Sequence, residues 1–549
     1  MKKTLSAILF IALLTACHHK KSTNQSDDST KSDETGKSTK KKITQRDFSV
    51  TPANAYNDLF FDSMALVSFI QENKVDDNIA RRMTSFYNAR NYQYAWFAQN
   101  GLAEQARGFW NMLDYHLNYT TDTTLKDDKL KATMDDLIGE DSIVIKPTDK
   151  KYLVTELKLT NRFISYSLNN IEDGYVKRKE LEKFIPIQKM NAVALADSLI
   201  GKKHKDDKYY EDVNESYKKL KAALVTYIDI EKKGGWPQVK INVKQAKAGA
   251  TIPAIAILKK RLSLTADMPA ADTTAVFDTA LVAGIKNFQV RYGYKQTGIL
   301  TDGLVKEMNV PAAKRIEQLL MNMGRMQWMI NEPNGKLMLV NIPEFILHVK
   351  DGKTKVFDMN VVVGKEGHNT TMFTGNLNQV VFSPYWNIPA SIVKKEIVPG
   401  MKRNKHYLSS HNMEITGQRG GLPVVRQLPG GKNSLGKVKF LFPNSFDIYF
   451  HDTPAKSLFL QDKRAYSHGC IRLSEPAKLA EYLLKDDSLW TPARIDSAMN
   501  SGKQNYVKVK SPVPVLITYY TAWVDDDGLL HFADDIYSHD KDLAKKMFF

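Results

Sequence analysis

The hydrophobic rhythm of the chain changes several times. An apolar run from Leu5 to Leu14 has no period and is too short to span a bilayer as a mature helix. Residues 18–46 hold Ser, Thr, Lys, Asp and Gln with almost no apolar side chain. Such a stretch cannot bury enough surface to offset its ordering entropy, which predicts a disordered tether. Over 50–240 apolar residues return at three- and four-residue spacing, as in Ile164 with Leu168, and Tyr217, Leu220, Leu224, Tyr227 and Ile228. This spacing predicts helices over Asn161–Asn169 and Tyr209–Ile230, in a mainly helical domain closed by Gly234-Gly235-Trp236-Pro237. Tyr92, Trp96 and Phe97 read as core. A compact unit over 245–310 carries a helix around Ile255–Leu262, a second over Asp278–Tyr292 and a third, short one after Thr301-Asp302-Gly303. A linking helix over 314–330 turns Leu319, Leu320, Met323, Met326 and Met329 inward.

From residue 335 to 549 the period falls towards two, and the pattern is mainly β. Strands are predicted at Leu337–Ile342, Phe345–Val349, Val356–Val363, Val380–Phe382, Val438–Phe442 and Asp447–His451, with Asp351-Gly352-Lys353 as a hairpin turn. A helix is predicted from Ser474, its N-cap, to Leu484. Strands at Val513–Val524 and Leu529–Phe532 close the domain. Between 390 and 430 the pattern breaks. Ile392–Ile397 suits a short helix, and Met401–Gly421 is polar, basic and rich in Gly and Asn, which predicts a mobile lid loop. The fold class is multidomain α+β.

Charge and cysteine usage narrow the function. The chain has 78 Lys+Arg against 61 Asp+Glu, a net charge of +17. That favours an anionic partner or a solvated surface. No zinc-finger, homeodomain or RNA-binding signature is present, so nucleic acid is not expected as a partner. Nothing calls for a cofactor or a metal. Of the 2 cysteines, Cys17 follows a basic start and the apolar run in Leu14-Thr15-Ala16-Cys17. This resembles a bacterial lipobox, with 1–17 as signal peptide and Cys17 as the lipidated residue. His18, not an acidic residue, follows it, which favours a periplasmic protein anchored in the outer membrane. Cys470 is then the sole free thiol.

A thiol attacks as thiolate and needs a neighbour that takes its proton. His451 ends a strand whose alternation sets Tyr449 and His451 on one face and Ile448 and Phe450 on the other. Gly469 allows close backbone approach, and the Gly469 and Cys470 amides are candidate donors to an oxyanion. Arg472 shares a face with Cys470 if the segment is extended. His468 is a second, lower-ranked base.

Ser467-His468-Gly469-Cys470-Ile471-Arg472-Leu473, with His451-Asp452-Thr453-Pro454 upstream, resembles the active site of the L,D-transpeptidases (YkuD-type fold). Val340-Asn341-Ile342-Pro343, Val363-Gly364-Lys365, Ser383-Pro384-Tyr385-Trp386-Asn387-Ile388-Pro389, Lys432-Asn433-Ser434-Leu435-Gly436-Lys437 and Thr521-Ala522-Trp523-Val524-Asp525 are similar to the large, YcbB-like members. The resemblance implies a helical scaffold domain over 50–240, a catalytic domain over 335–549 and a capping insertion at about 390–430. Phe288-Gln289 and the Gly298–Gly303 turn resemble a small three-helix peptidoglycan-binding module over 245–310. The implied chemistry is attack by Cys470 on a donor tetrapeptide stem, loss of terminal D-Ala, and resolution of the thioester by an acceptor amine into a 3→3 cross-link. His451 acts as base. Tyr449, Trp386, Arg472, Ser467 and His468 would line the site, and Lys432, Lys437, Lys456 and Arg464 either attract stem carboxylates or form a solvated face. Acylation of Cys470 by carbapenem-type β-lactams is also implied, as are cell-wall synthesis or hydrolase proteins as partners. The alternatives are an L,D-carboxypeptidase and a non-catalytic peptidoglycan tether.

Overall fold

A computed structural model describes residues 43–119, 122–139, 143–170, 185–201, 215–270, 274–328 and 335–549. The signal segment, Cys17 and the tether up to residue 42 lie outside these residues, as do 209–214 of the predicted Tyr209–Ile230 helix and Met329. Among the described residues no helix is long and apolar enough to cross a membrane.

The N-terminal part is helical where the spacing predicts it, with helices at Ser63–Glu72, Asp77–Ala89, Glu104–Tyr119, Asp128–Gly139, Lys150–Asn170, Ala192–Ile200 and Glu215–Lys232. Asp62 and Asp76 cap the first two by accepting from backbone amides, which satisfies donors the helix cannot use itself. Tyr92, Trp96 and Phe97 are core, as expected. Buried Glu156 ties the centre together: it accepts from the amides of Ala95 (2.7 Å) and Trp96 (3.0 Å) and from the Tyr87 hydroxyl (2.9 Å).

The 245–310 unit has helices at Pro253–Leu264, Thr279–Arg291 and Asp302–Met308. Its Gln289 is structural. The buried carboxamide accepts from the Gly298 amide (2.9 Å) and donates to Thr297 Oγ1 (3.0 Å), so it pins the Thr297–Ile299 turn onto the second helix. The linking helix, Ala312–Met326, packs on Glu215–Lys232 and buries Leu319, Leu320, Met323 and Met326.

Nine strands form the catalytic-region sheet. Thr354–Gly364 pairs with both Ile346–Asp351 and Ile471–Leu473, so the sheet closes into a barrel with Ala465–Ser467 as a side branch. The inside is filled by Met338, Val361, Val380, Phe440, Phe450, Ile471 and Leu473, among others.

Several expectations are corrected. Met401–Gly421 is not a loop. The insertion holds short helices at Val398–Arg403 and Tyr407–Ser410 and a hairpin of Met413–Arg419 with Leu422–Gln427, turned by Gly420-Gly421. It has its own small core of Ile388, Val393, Ile397 and Val425. Ser474 is not an N-cap. Its amide bonds to the Asn360 carbonyl just past the strand Ile471–Leu473, and the helix starts at Pro476, whose fixed φ suits the first helical position. Only Phe450–His451 of Asp447–His451 is strand, because Asn444 holds 444–448 as a loop through bonds to Phe442, Phe446 and Ile448. Val513–Val524 is not one strand: a longer strand, Asn505–Thr518, belongs to the barrel and Ala522–Val524 to a separate hairpin with Leu530–Phe532. That hairpin and the last helix, His539–Met547, leave the barrel. Tyr520, Ala522, Leu530, Phe532, Leu543 and Phe548 belong to the core of the N-terminal helices.

Burial pushes the Glu156 carboxyl up to about 7, against the pull of its three donors. A carboxyl whose pKa is raised in the fold stabilises below its ordinary value and loses that contribution as pH climbs through the folded value. Melting temperature is therefore expected to fall between about pH 4.5 and 7, and Glu156→Gln to flatten that slope in a pH series of thermal melts.

Candidate active site

The site is set by one parallel strand pair. Phe450 stands opposite Ile471 and His451 opposite Arg472, and the Ile471 amide bonds to the Tyr449 carbonyl at 3.2 Å. Phe450, Ile471 and Leu473 face the barrel core. By alternation Tyr449, His451, Cys470 and Arg472 share the other face. The face predicted from the sequence is thus present, with Lys439, the partner of His451 on the next strand, beside it.

His451 is buried, and its Nδ1 lies 2.5 Å from the Asp452 carbonyl. A carbonyl only accepts, so Nδ1 carries the proton and Nε2 keeps a free lone pair. Burial first, and the Arg472 charge second, lower the imidazole to about 3. Cys470 is pushed the other way. Burial raises its thiol to about 11, while hydrogen bonding from Tyr449 and the Arg472 charge pull back. The resting pair is therefore neutral thiol and neutral imidazole. The thiol rests on the Asp447 carbonyl at 3.5 Å. Burial also raises the Tyr449 phenol, so it stays protonated as a donor. The Nε of Arg472 is buried with no hydrogen-bond partner among the described residues.

Asp452 is the residue behind the base. Its carboxylate accepts from the amides of Lys437 (2.8 Å) and Thr453 (2.7 Å) and pairs with Lys456 (2.7 Å). Gly436 sits at φ +62°, and a Cβ there would run into that carboxylate. This is a physical reason for glycine in the Ser434-Leu435-Gly436-Lys437 turn.

Gly469 is required for its φ of +114° more than for crowding, since an added Cβ would meet only Asn369 O at 3.8 Å. Its amide departs from expectation: it donates to Ser467 Oγ at 3.1 Å and is not an open oxyanion donor in this state. The Cys470 amide has no hydrogen-bond partner among the described residues. Ser467 is itself a brace, buried and donating to the Cys470 carbonyl at 2.5 Å, and does not line the cavity.

Other predicted contacts lie elsewhere. Trp386 pairs with Gln427 in the insertion and packs on that subdomain's core. His468, by contrast, does line the space in front of Cys470, and it also meets Glu396 of the insertion at 3.2 Å, with its ring 5.0 Å from that of His368. Lys456 is taken by Asp452, and Lys437 donates to Asn500 at 2.6 Å. Arg464 is buried and bonds to the carbonyls of Val361 and Phe345.

Sequence reasoning missed the residues that hold the cysteine loop. Thr370 Oγ1 donates to the Gly469 carbonyl (2.8 Å) and accepts from the Gly364 amide (2.9 Å), while Tyr537 donates to the Gly364 carbonyl (2.6 Å). They stand about a hundred residues or less from Cys470, without a spacing that marks them.

Residues 335–515 match the family model described as L,D-transpeptidase catalytic domain (YkuD), and residues 81–224 the model described as Scaffold domain. A Haemophilus influenzae protein provisionally named L,D-transpeptidase is 31% identical over 255 residues, which cover 43% of this chain and 51% of the relative. The chain thus spans about half the length of that relative. Among solved structures, an L,D-transpeptidase of Mycobacterium smegmatis is 15% identical, covering 33% of this chain and 58% of that one, with a TM-score of 0.19. One from Stackebrandtia nassauensis is 14% identical, covering 51% and 96%, with a TM-score of 0.22.

Gly436→Ala is expected to displace Asp452 and with it the imidazole. If His451 serves Cys470 as base, acylation of that thiol by an activated ester, followed by intact mass, should slow at least about tenfold, a part of what a positioned base supplies.

Proposed function

The chain carries an L,D-transpeptidase (YkuD) catalytic domain and a scaffold domain, and on that premise we propose that it is a cysteine acyltransferase that forms 3→3 cross-links between peptidoglycan stem peptides. The observation that carries the reading is the shared face of Cys470, His451, Tyr449 and Arg472 on two paired parallel strands, with the tautomer of His451 set by Asp452.

The neutral resting pair supports a particular order of events. A standing thiolate–imidazolium pair is disfavoured on both partners, so proton loss accompanies attack. Sγ forms a bond to the carbonyl carbon of the third stem residue as His451 Nε2 takes the thiol proton. The amide C–N bond then breaks, and the terminal D-Ala leaves as an amine with that proton. The acceptor amine attacks the thioester carbon and loses a proton to Nε2. The C–S bond breaks, and the sulfur recovers its proton from the imidazolium. The Cys470 amide and the Tyr449 hydroxyl are the donors available to the oxyanion. Arg472, opposite His451 on the shared face, places a positive charge behind the pair that favours a developing negative charge on sulfur.

Lipidation of Cys17 and a place in the periplasm, on the outer membrane, belong to the same reading and rest on the Leu14–Cys17 pattern. Cys17→Ser should move the protein from the membrane to the soluble fraction of fractionated cells; an unchanged distribution would count against the anchor.

Incubation with disaccharide-tetrapeptide should yield a Cys470 thioester adduct and a 3→3 dimer by mass spectrometry, both abolished by Cys470→Ala. Tripeptide without dimer would make the protein a carboxypeptidase, and full cell-wall function of Cys470→Ala would leave the tether reading.

A further inference from the structure

The thiol does not open onto the barrel alone. A cavity of about 670 Å³ in front of Cys470 is walled on one side by Gly469, Cys470 and Asp447, and on the other by Asp136, Lys151 and Tyr152 of the scaffold. This volume suits a ligand of peptide-fragment size. Resting on the acyl-transfer reading above, we infer that the scaffold domain forms a wall of the substrate site, and that Asp136 and Lys151 bind the zwitterionic end of a stem peptide, one the ammonium and the other the carboxylate.

The wall is held in place. Ser445, on the loop that receives the thiol, donates to Asp135 of the scaffold helix Asp128–Gly139 at 2.6 Å. Asp135 is also paired with Lys131 at 3.3 Å. Phe446, next in that loop, packs against the helical core and the barrel core alike. A wall tied to the nucleophile's own loop can discriminate, because its charges keep their distance from the reacting sulfur.

The two charges on it are unspent. Asp135 is consumed by docking, but its neighbour Asp136 has no hydrogen bond or ion pair among the described residues. Among the described residues the Lys151 ammonium meets only the ring of Tyr152, at 5.8 Å. A solvated surface would explain either charge singly. Opposite charges on one wall of the cavity that holds the nucleophile match a ligand carrying both signs. The insertion reaches the cysteine loop through His468 and Glu396 and contributes no residue to this cavity. The thiol therefore has two distinct neighbours, as a reaction joining two peptides requires.

The test uses the full chain. Binding of a disaccharide-tetrapeptide to the Cys470→Ala protein is compared with binding to the same protein carrying Asp136→Asn and Lys151→Met. Affinity should fall about fivefold or more in the charge-removed protein, as expected for two screened ion pairs. Equal affinity, or no binding to the Cys470→Ala protein, overturns the inference. In the active protein the double variant should keep the wild-type rate of Cys470 alkylation by iodoacetamide and raise KM with little change in kcat. A defect in thioester formation identifies the donor stem as the ligand, a defect in its resolution the acceptor, and both support the wall. Absence of thioester and dimer in the wild type is a failure of the acyl-transfer reading, and the binding comparison still decides the wall.

Discussion

Everything chemical in this protein depends on the register between two very short strands. With His451 opposite Arg472, a thiol, an imidazole, a phenol and a guanidinium fall on one side and Phe450, Ile471 and Leu473 on the other. A slip of one residue would exchange the two sets, sending charged groups into the barrel and hydrophobic ones to the substrate. The burial of Phe450 and Ile471, each fully inside, is therefore what aims the catalytic side chains. Strand length contributes little, since Phe450–His451 is only two residues long. Closure of the barrel around it does the holding.

The second layer of control is in backbone carbonyls. The Asp452 carbonyl fixes the imidazole tautomer, the Asp447 carbonyl receives the resting thiol, and the Gly469 carbonyl is gripped by Thr370. Each belongs to a loop organised by buried polar contacts rather than by regular structure. Burial then acts on both members of the dyad in the direction of neutrality. The pair is thus held neutral at rest, and on the proposed acyl-transfer reading donors to an oxyanion would shift that balance only as the bond forms.

Much of this could be read from residues alone. Period-two alternation ending at His451 announced the shared face, and a lone thiol beside Gly469 announced the candidate site. The helices of the first half were legible from apolar spacing, because burial of one face is what that spacing reports. What stayed hidden is non-local. Thr370 and Tyr537 reach the cysteine loop from other parts of the chain, and no pattern near Cys470 names them. Trp386 stands in a distinctive run that suggests a site residue, yet it packs, half-buried, against the core of the insertion. Met401–Gly421 reads as loop because its glycines and polar residues outweigh the short alternation in Met413–Gln427. Its Gly420-Gly421 turn between two extended runs was the available signal. The Gly469 amide was misassigned for a related reason: Ser467, two residues away, claims it.

The return of residues 519–549 to the N-terminal helices has a consequence for synthesis. Phe532, Leu543 and Phe548 fill a core whose first members, Tyr56 and Leu59, are made some five hundred residues earlier. The Met190 amide bonds to the carbonyl of Met547 at 2.8 Å. The core of these helices is thus completed only by segments made much later, contrary to the usual order in which earlier domains fold first. Contacts of such sequence separation are slow to form. A chain that lacks residues 519–549 therefore exposes an unfinished apolar core, because Phe532, Leu543 and Phe548 are what cover it.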